Sequence, residues 1–272
     1  MQVEISKGLA VERVELRSEP LERTVLIDFY LPLHIQPEEL NLLLINDGQD
    51  LVTMGFEKLM DHLLGEKKIQ PLLCVGIHCG EDRKHEYGLA AAPDFKGRGA
   101  KAALYQRFII DELLPFISEK YNVDSFRERA FAGFSLGALS ALDIVWNHPH
   151  LFTRVGTFSG SLWWRSKDKS DKDYDESSDR LMHQQIRNGQ FHPSLNFFFQ
   201  CGTMDEGEDR NRNGVIDSID DTIDLMKELL QKGYREGKEM IYYQIPGGRH
   251  DVATWAHALP TFLQWGWGRT SS

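Results

Sequence analysis

Short apolar runs alternate with stretches in which apolar positions recur every three or four residues. In the first third, "TVLIDFYLP" (24–32), "ELNLLLIND" (39–47) and "IQPLLCVGIH" (69–78) are bounded by Pro, Asn, Asp and Gly, and read as strands. Between the last two, "LVTMGFEKLMDHLLGE" (51–66) has helical spacing, with Gly65 as a stop signal. The alternation continues with a helix over 103–121, a strand over 127–135, and a helix over 136–149 that Pro149 helps to end. Strands over 154–160 and 194–203, a helix over 219–233, a strand over 239–248 and a closing helix over 252–265 complete it. Strands alternating with helices predict one α/β domain, its mostly parallel central sheet covered by helices on both faces.

Length and composition refine this picture. A chain of 272 residues suits a single α/β domain over 1–272. The polar stretch "RSKDKSDKDYDESSDR" (165–180) interrupts the pattern and predicts a mobile flap spanning about residues 161–194. No window approaches the roughly 18 uninterrupted apolar residues of a membrane helix, so no membrane partner is expected. The N-terminal residues alternate apolar and polar positions and carry acids throughout, unlike a signal peptide, which predicts a cytoplasmic protein. A net charge of −10 with no basic stripe argues against nucleic acid. Cys74, Cys79 and Cys201 are odd in number and lack C-x-x-C spacing, as reduced thiols would be.

Candidate chemistry begins at "AFAGFSLGALSAL" (130–142). Here Gly133, Phe134, Ser135, Leu136 and Gly137 form G-x-S-x-G, a weak signal as a bare pentapeptide. Its setting strengthens it: a strand precedes it and a helix follows, as a nucleophile elbow requires. Glycines permit the tight turn, and the unpaired N–H of Leu136 at the helix start can stabilise an oxyanion. The other reading of Ser135 is a turn serine capping the helix. A serine hydroxyl needs a base, and His250 follows a long apolar strand and the flexible Gly247–Gly248 pair, so a loop at the strand end can present it. His257 lies within the last helix and reads as a packing or surface residue. The acid should leave the preceding strand, where "FFFQCGTMDEGED" offers Asp205, Glu206 and Asp209. Asp205 comes first after the turn and is preferred, with Glu206 as runner-up; its task is to orient the imidazole and stabilise the imidazolium. A second oxyanion donor is expected in the turn at Asp47, Gly48 and Gln49, from the Gln49 backbone N–H; a D-G turn without catalytic duty is the alternative.

On these residues the chain resembles the "Putative esterase" family of α/β hydrolases, which includes enterochelin-esterase-like enzymes, esterase D and feruloyl-type carbohydrate esterases. The likeness covers about residues 24–266 and includes "INDGQD", "GIHCGEDRKHEYG" with Arg83, Glu86 and Tyr87, "YQRFIIDELLPFISEKY", "FAGFSLGALSAL", "HPHLFTRVGTFSGSLWW" and "PGGRHDVATWAHALPTFLQW". The resemblance implies an α/β-hydrolase fold, a triad of Ser135, His250 and Asp205, and a substrate pocket walled by Trp163 and Trp164 with Tyr87 nearby. Two departures stand out: Ala138 replaces the family's usual second glycine after the serine, and Arg249 separates the glycines from His250.

A further motif lies at "DRNRNGVIDSID" (209–220), which has the spacing of an EF-hand-type calcium loop. Asp209, Asn211, Asn213, Asp217 and Asp220 would supply side-chain ligands, Val215 a carbonyl, Gly214 the sharp turn and Ile216 an inward anchor. With Asp220 at the last position the loop resembles dockerin-type loops. The same residues also make an Asn213–Gly214 turn feeding a helix capped by Ser218, with Asp221 three residues on.

The expected function is therefore carboxylic-ester hydrolysis of a small-molecule substrate through an acyl-enzyme, with no catalytic cofactor and a structural Ca2+. Acyl transfer or thioester hydrolysis by the same triad, and a non-catalytic carbohydrate-binding module, are the competing readings. Siderophore, carbohydrate acyl and thioester substrates all fit the residues.

Overall fold

All six residues of the strand Asn41–Asn46 are buried, and its alternate side chains enter two different cores. Leu42 and Leu44 point to one face of a sheet, Leu43 and Ile45 to the other, as the two-residue period of a strand demands. That double burial requires helices on both sides.

The computed structural model describes residues 2–5 and 8–269; the remaining termini of the expected 1–272 span, and residues 6–7, lie outside the described residues. The strands are β1 (Gln2–Ile5), β2 (Leu9–Ser18), β3 (Arg23–Pro32), β4 (Asn41–Asn46), β5 (Leu72–Ile77), β6 (Arg129–Phe134), β7 (Arg154–Phe158), β8 (Asn196–Met204) and β9 (Met240–Arg249). They form one sheet in the order β1-β2-β3-β5-β4-β6-β7-β8-β9. From β5 to β9 every neighbouring pair is parallel, while β1, β2 and β3 add an antiparallel edge. The chain is thus an α/β fold with a mostly parallel sheet, as expected. The antiparallel β1 and β2 were not anticipated as strands: the half-exposed alternation of β2 lacks a solid apolar run.

The helices are α1 (Phe56–Gly65), α2 (Arg83–Glu86), α3 (Ala102–Arg107), α4 (Leu114–Tyr121), α5 (Leu136–Asn147), α6 (Glu176–Asp179), α7 (Leu181–Asn188), α8 (Asp217–Lys232) and α9 (Val252–Trp267). Residues of α1 and α9, such as Met60 and Phe262, fill the core on one face; Tyr105, Leu139, Met182 and Leu225 fill it on the other. At about 25 cal/mol per Å2 of apolar area removed from water, these two cores are the main favourable term holding the layers together. None of the described helices is long and apolar enough to cross a membrane.

Two expectations change. The single helix expected over 103–121 contains a π-helical turn, Phe108–Leu113, between α3 and α4. Pro115 lies in the first turn of α4, where it lacks an N–H and its ring crowds the carbonyl four residues back, which the wider turn relieves. The polar segment expected as a flap is partly helical: α6 and α7 form within it, and α7 packs on α8. Arg180 anchors it, reaching Asp221 and Asp224 at 3.0 Å each, while the buried His183 ring meets the Asp221 carbonyl at 2.8 Å.

Candidate active site

Ser135 sits between β6 and α5 with φ 54° and ψ −119°, a conformation L residues rarely hold. The surroundings impose it. A Cβ on Gly133 would come within 2.4 Å of the Gly137 backbone, and one on Gly137 within 2.7 Å of Asp47 Oδ2, so both positions accept only glycine without movement. The Ser135 N–H donates to the Phe158 carbonyl at 2.9 Å, and its own carbonyl accepts the Ser161 N–H at 3.0 Å. Its neighbours Phe134 and Leu136 are buried, yet Ser135 keeps partial exposure, and its Oγ lies 3.4 Å from Ser161 Oγ. The side chain is therefore presented at the carboxyl end of the sheet.

Strand register brings the other expected residues to the same edge. Met204 of β8 is the Cα partner of Arg249 of β9, so Asp205 and His250 are the next residues of adjacent parallel strands. Phe134 pairs with Phe158 and Phe158 with Gln200, which sets Ser135 beside the β7 end and that end beside β8. Asp205 Oδ2 accepts the Gly202 N–H at 3.1 Å, whereas Oδ1 is buried without a hydrogen-bond partner among the described residues. Burial pushes the Asp205 carboxyl up, against the pull of Ser159, the Gly202 N–H and His250. Partial withdrawal from water lowers the His250 imidazole below its ordinary value, Arg83 adds to this, and Asp205 opposes it. Glu206 is exposed, and its carboxyl is raised by partial desolvation and by the acids around Asp217.

The turn after β4 faces the elbow. Asp47 is held at φ 59°, and Gly48–Asp50 form one turn of 3-10 helix, so the Gln49 N–H lies at a helix start without an intrahelical acceptor. The Leu136 N–H, at the start of α5, is placed likewise. Arg83 grips Asp47 through two hydrogen bonds of 2.7 Å, the fork-on-carboxylate pairing that fixes orientation as well as distance. Asn46 Nδ2 donates to the Gly137 carbonyl at 2.7 Å and Asn46 Oδ1 accepts Tyr105 Oη–H at 2.5 Å, which ties the turn to α5 and to α3.

This arrangement can be set against known proteins. A model of the "Putative esterase" family matches residues 18–265. The chain belongs to that family. It is a carboxylic-ester hydrolase of the α/β-hydrolase fold. It is 23% identical over 231 residues to the uncharacterized protein YjcH of Bacillus subtilis, covering 83% of this chain and 86% of that one. In structure it is similar to the enterobactin esterase FES from Shigella flexneri, with a TM-score of 0.70 and 19% identity over 93% of this chain. The esterase spans only 58% of the length of that enzyme. The siderophore hydrolase EstB from Aspergillus nidulans is similar over 97% of both chains, with a TM-score of 0.67 and 16% identity. At these identities the structural likeness establishes the fold.

The remaining expected residues of the esterase divide into two groups. Trp163 is half-buried and lines a cavity of about 230 Å3 with Phe95, Arg98 and Glu206, its ring covered by the Arg98 guanidinium at 4.6 Å. Trp164 and Tyr87, expected beside the substrate, are both 0% exposed. Trp164 fills the space left by Gly88 and Gly99, and the Tyr87 hydroxyl accepts the Asp47 N–H at 3.3 Å, so both support the site from beneath.

The loop at 209–220 turns sharply at Gly214, where φ is 85°. Asp209 accepts the N–H groups of Asn213 and Gly214, and the Asn211 and Asn213 amides both reach Asp220 Oδ2, at 2.8 and 2.9 Å. The Asn213 side chain accepts the Val215 N–H at 2.7 Å. Asp217 departs from its expected place as a ligand: it is nearly buried, and its carboxylate takes the Arg210 N–H at 2.8 Å and faces the Arg210 guanidinium. Among the described residues no group of three or more His, Cys, Asp or Glu is placed to hold a metal ion. The helix after the loop starts at Asp217 with Ile216 as its cap, so Ser218 does not cap it. Two further residues that sequence reasoning did not single out lie at the site: Trp255 meets the His250 ring edge to face, and its Nε1–H donates to Ser159 Oγ.

Proposed function

We propose that the esterase works through a serine acyl-enzyme built on Ser135, His250 and Asp205. The observation that carries this is the backbone of Ser135, strained at a strand-to-helix junction that lifts its hydroxyl over the sheet edge. His250 takes the hydroxyl proton as Oγ bonds to the ester carbonyl carbon. Charge then develops on the carbonyl oxygen, where the N–H groups of Leu136 and Gln49 receive it. The tetrahedral intermediate collapses, the alcohol leaves with the proton from His250, and water repeats the sequence to release the acid. Asp205, with its unpartnered buried oxygen beside the His250 strand end, is suited to accept an imidazole N–H and stabilise the imidazolium. The substrate is a small-molecule ester; Trp163, two residues on from the Ser161 whose hydroxyl faces Ser135, would offer it an aromatic wall at a cavity lined otherwise mostly by charged side chains. The test is turnover of a short-chain aryl ester by wild type and Ser135→Ala; a loss of about 10^4-fold or more is expected. Equal rates sink the mechanism.

A calcium ion at 209–220 is proposed from the convergence of Asp209, Asn211, Asn213 and Asp220. The Asn211 and Asn213 side-chain oxygens, which now accept the Asn213 and Val215 N–H groups, each keep a lone pair that a cation drawn between Asp209 and Asp220 would take, and Val215 adds its carbonyl. With two carboxylates directed inward, and Asp217 committed to Arg210, affinity at the weak end of such loops is expected. Titration calorimetry with Ca2+ tests this, and absence of heat with the native protein overturns it.

A further inference from the structure

His250 makes no hydrogen bond to a described residue in this structure; its ring meets that of Trp255, in the first turn of α9, edge to face at a centroid distance of 5.3 Å. An imidazole on an exposed loop can rotate about two side-chain bonds, and each unproductive rotamer removes the base from the reaction. The indole that limits this rotation is itself fixed on two sides. Its Nε1–H donates to Ser159 Oγ at 3.0 Å, and its ring stacks on Phe134 at 5.2 Å with an interplanar angle of 24°. Phe134 directly precedes Ser135. Ser159 is held as firmly: it is buried, its φ of 45° lies in the left-handed region, and its N–H donates to the Gln200 carbonyl at 2.8 Å. One side chain therefore touches the base, the residue before the nucleophile, and the end of the strand between nucleophile and acid.

We propose that Trp255 is a positioning residue: locked by Ser159 and Phe134, its indole sets the orientation of the His250 ring relative to Ser135. The inference rests on the triad reading. It differs from simple core packing, because packing needs only an apolar ring, whereas positioning needs the ring held at one angle by its N–H. Trp255 also keeps water from one side of the imidazole, in line with the lowered proton affinity of His250.

Three variants separate these roles. Trp255→Phe keeps an aromatic ring and removes only the donor; Ser159→Ala keeps the indole and removes its acceptor together with the Ser159 pull on the Asp205 carboxyl; Trp255→Leu removes the wall. For Trp255→Leu, kcat should fall about tenfold to a hundredfold with KM changed less than about threefold, since misplacing a reacting group costs turnover more than binding. The acid limb of its kcat/KM profile should move to higher pH, as the imidazole regains water. Ser159→Ala and Trp255→Phe should each lower kcat by about threefold to tenfold and leave that limb in place. Unchanged kcat in Trp255→Phe overturns the lock whatever Ser159→Ala does, since Ser159 also faces Asp205, and a Trp255→Leu enzyme whose acid limb does not move overturns the wall. If Trp255→Leu fails to fold, Trp255→Phe still decides. Ser135→Ala, measured alongside, keeps the outcomes distinct: full turnover there removes the triad reading itself, whatever the tryptophan does.

Discussion

Ser135 and His250 present opposite problems in placing a side chain. Ser135 is held by backbone strain that Gly133 and Gly137 make sterically possible. His250 lies on an exposed loop, and its proton affinity is set by its surroundings. The imidazole must be neutral to accept the serine proton, and its pKa lies below the ordinary 6.5. Activity should therefore hold as pH falls to that value and be half lost only below it. A kcat/KM profile with a midpoint at or above pH 7 would contradict the stated environment of His250. A second residue-scale prediction concerns Gly137→Ala. The added Cβ meets Asp47 Oδ2, which Arg83 holds by two hydrogen bonds and cannot release cheaply. Turnover should drop at least about tenfold through displacement of the turn that carries the Gln49 N–H, with a smaller loss of thermal stability. The proposed nucleophile and base could be nominated from the chain because glycine spacing and the order of serine, acid and histidine have local causes. Trp255 and Ser159 could not, because an indole on an apolar helix face has the same pattern whether it fills a core or orients a neighbour.

At the scale of elements, the junction between α7 and α8 carries a pH sensitivity of its own. His183 is buried, its ring meets the Asp221 carbonyl, and burial together with Arg180 pushes its imidazole down to about 3. The unfolded chain binds a proton near pH 6.5 that the folded protein refuses, so this contribution is complete above that pH. It is lost progressively as pH falls from 6.5 toward 3. Melting temperature measured against pH should decline less steeply for His183→Gln than for wild type across that window; parallel curves would remove His183 as the cause. The same junction explains why the polar stretch 165–180 misled. Its charges pair with residues distant in sequence, Arg180 with Asp221 and Asp224, and Glu176 with Arg210. A run of charges looks solvated until the partner element is known.

For the whole molecule, the ends of β4, β6, β7, β8 and β9 form one edge, and the 209–220 loop follows Asp205, the proposed acid, shortly after it in the chain. Arg210, at the second position of that loop, reaches Glu176 of α6 and Asp217 and Asp221 of α8. A cation that orders the loop should thus stabilise the acid's segment and the neighbouring helices together. Chelator-treated protein is expected to melt about 5 °C or more below protein saturated with Ca2+, and to turn over ester more slowly. An unchanged melting temperature sinks the calcium reading, whereas a shifted melting temperature with unchanged activity sinks only the coupling. The α/β class, the parallel strands from β4 onward, the elbow and the family can all be read along the chain alone. Those features arise from periodicity, glycine sterics and chain order, which are local properties. That Trp164 and Tyr87 are buried, that Asp217 serves Arg210 and that Trp255 meets His250 emerge only once the chain is folded. Each of these depends on which atoms distant in sequence compete for the same space and the same hydrogen bond.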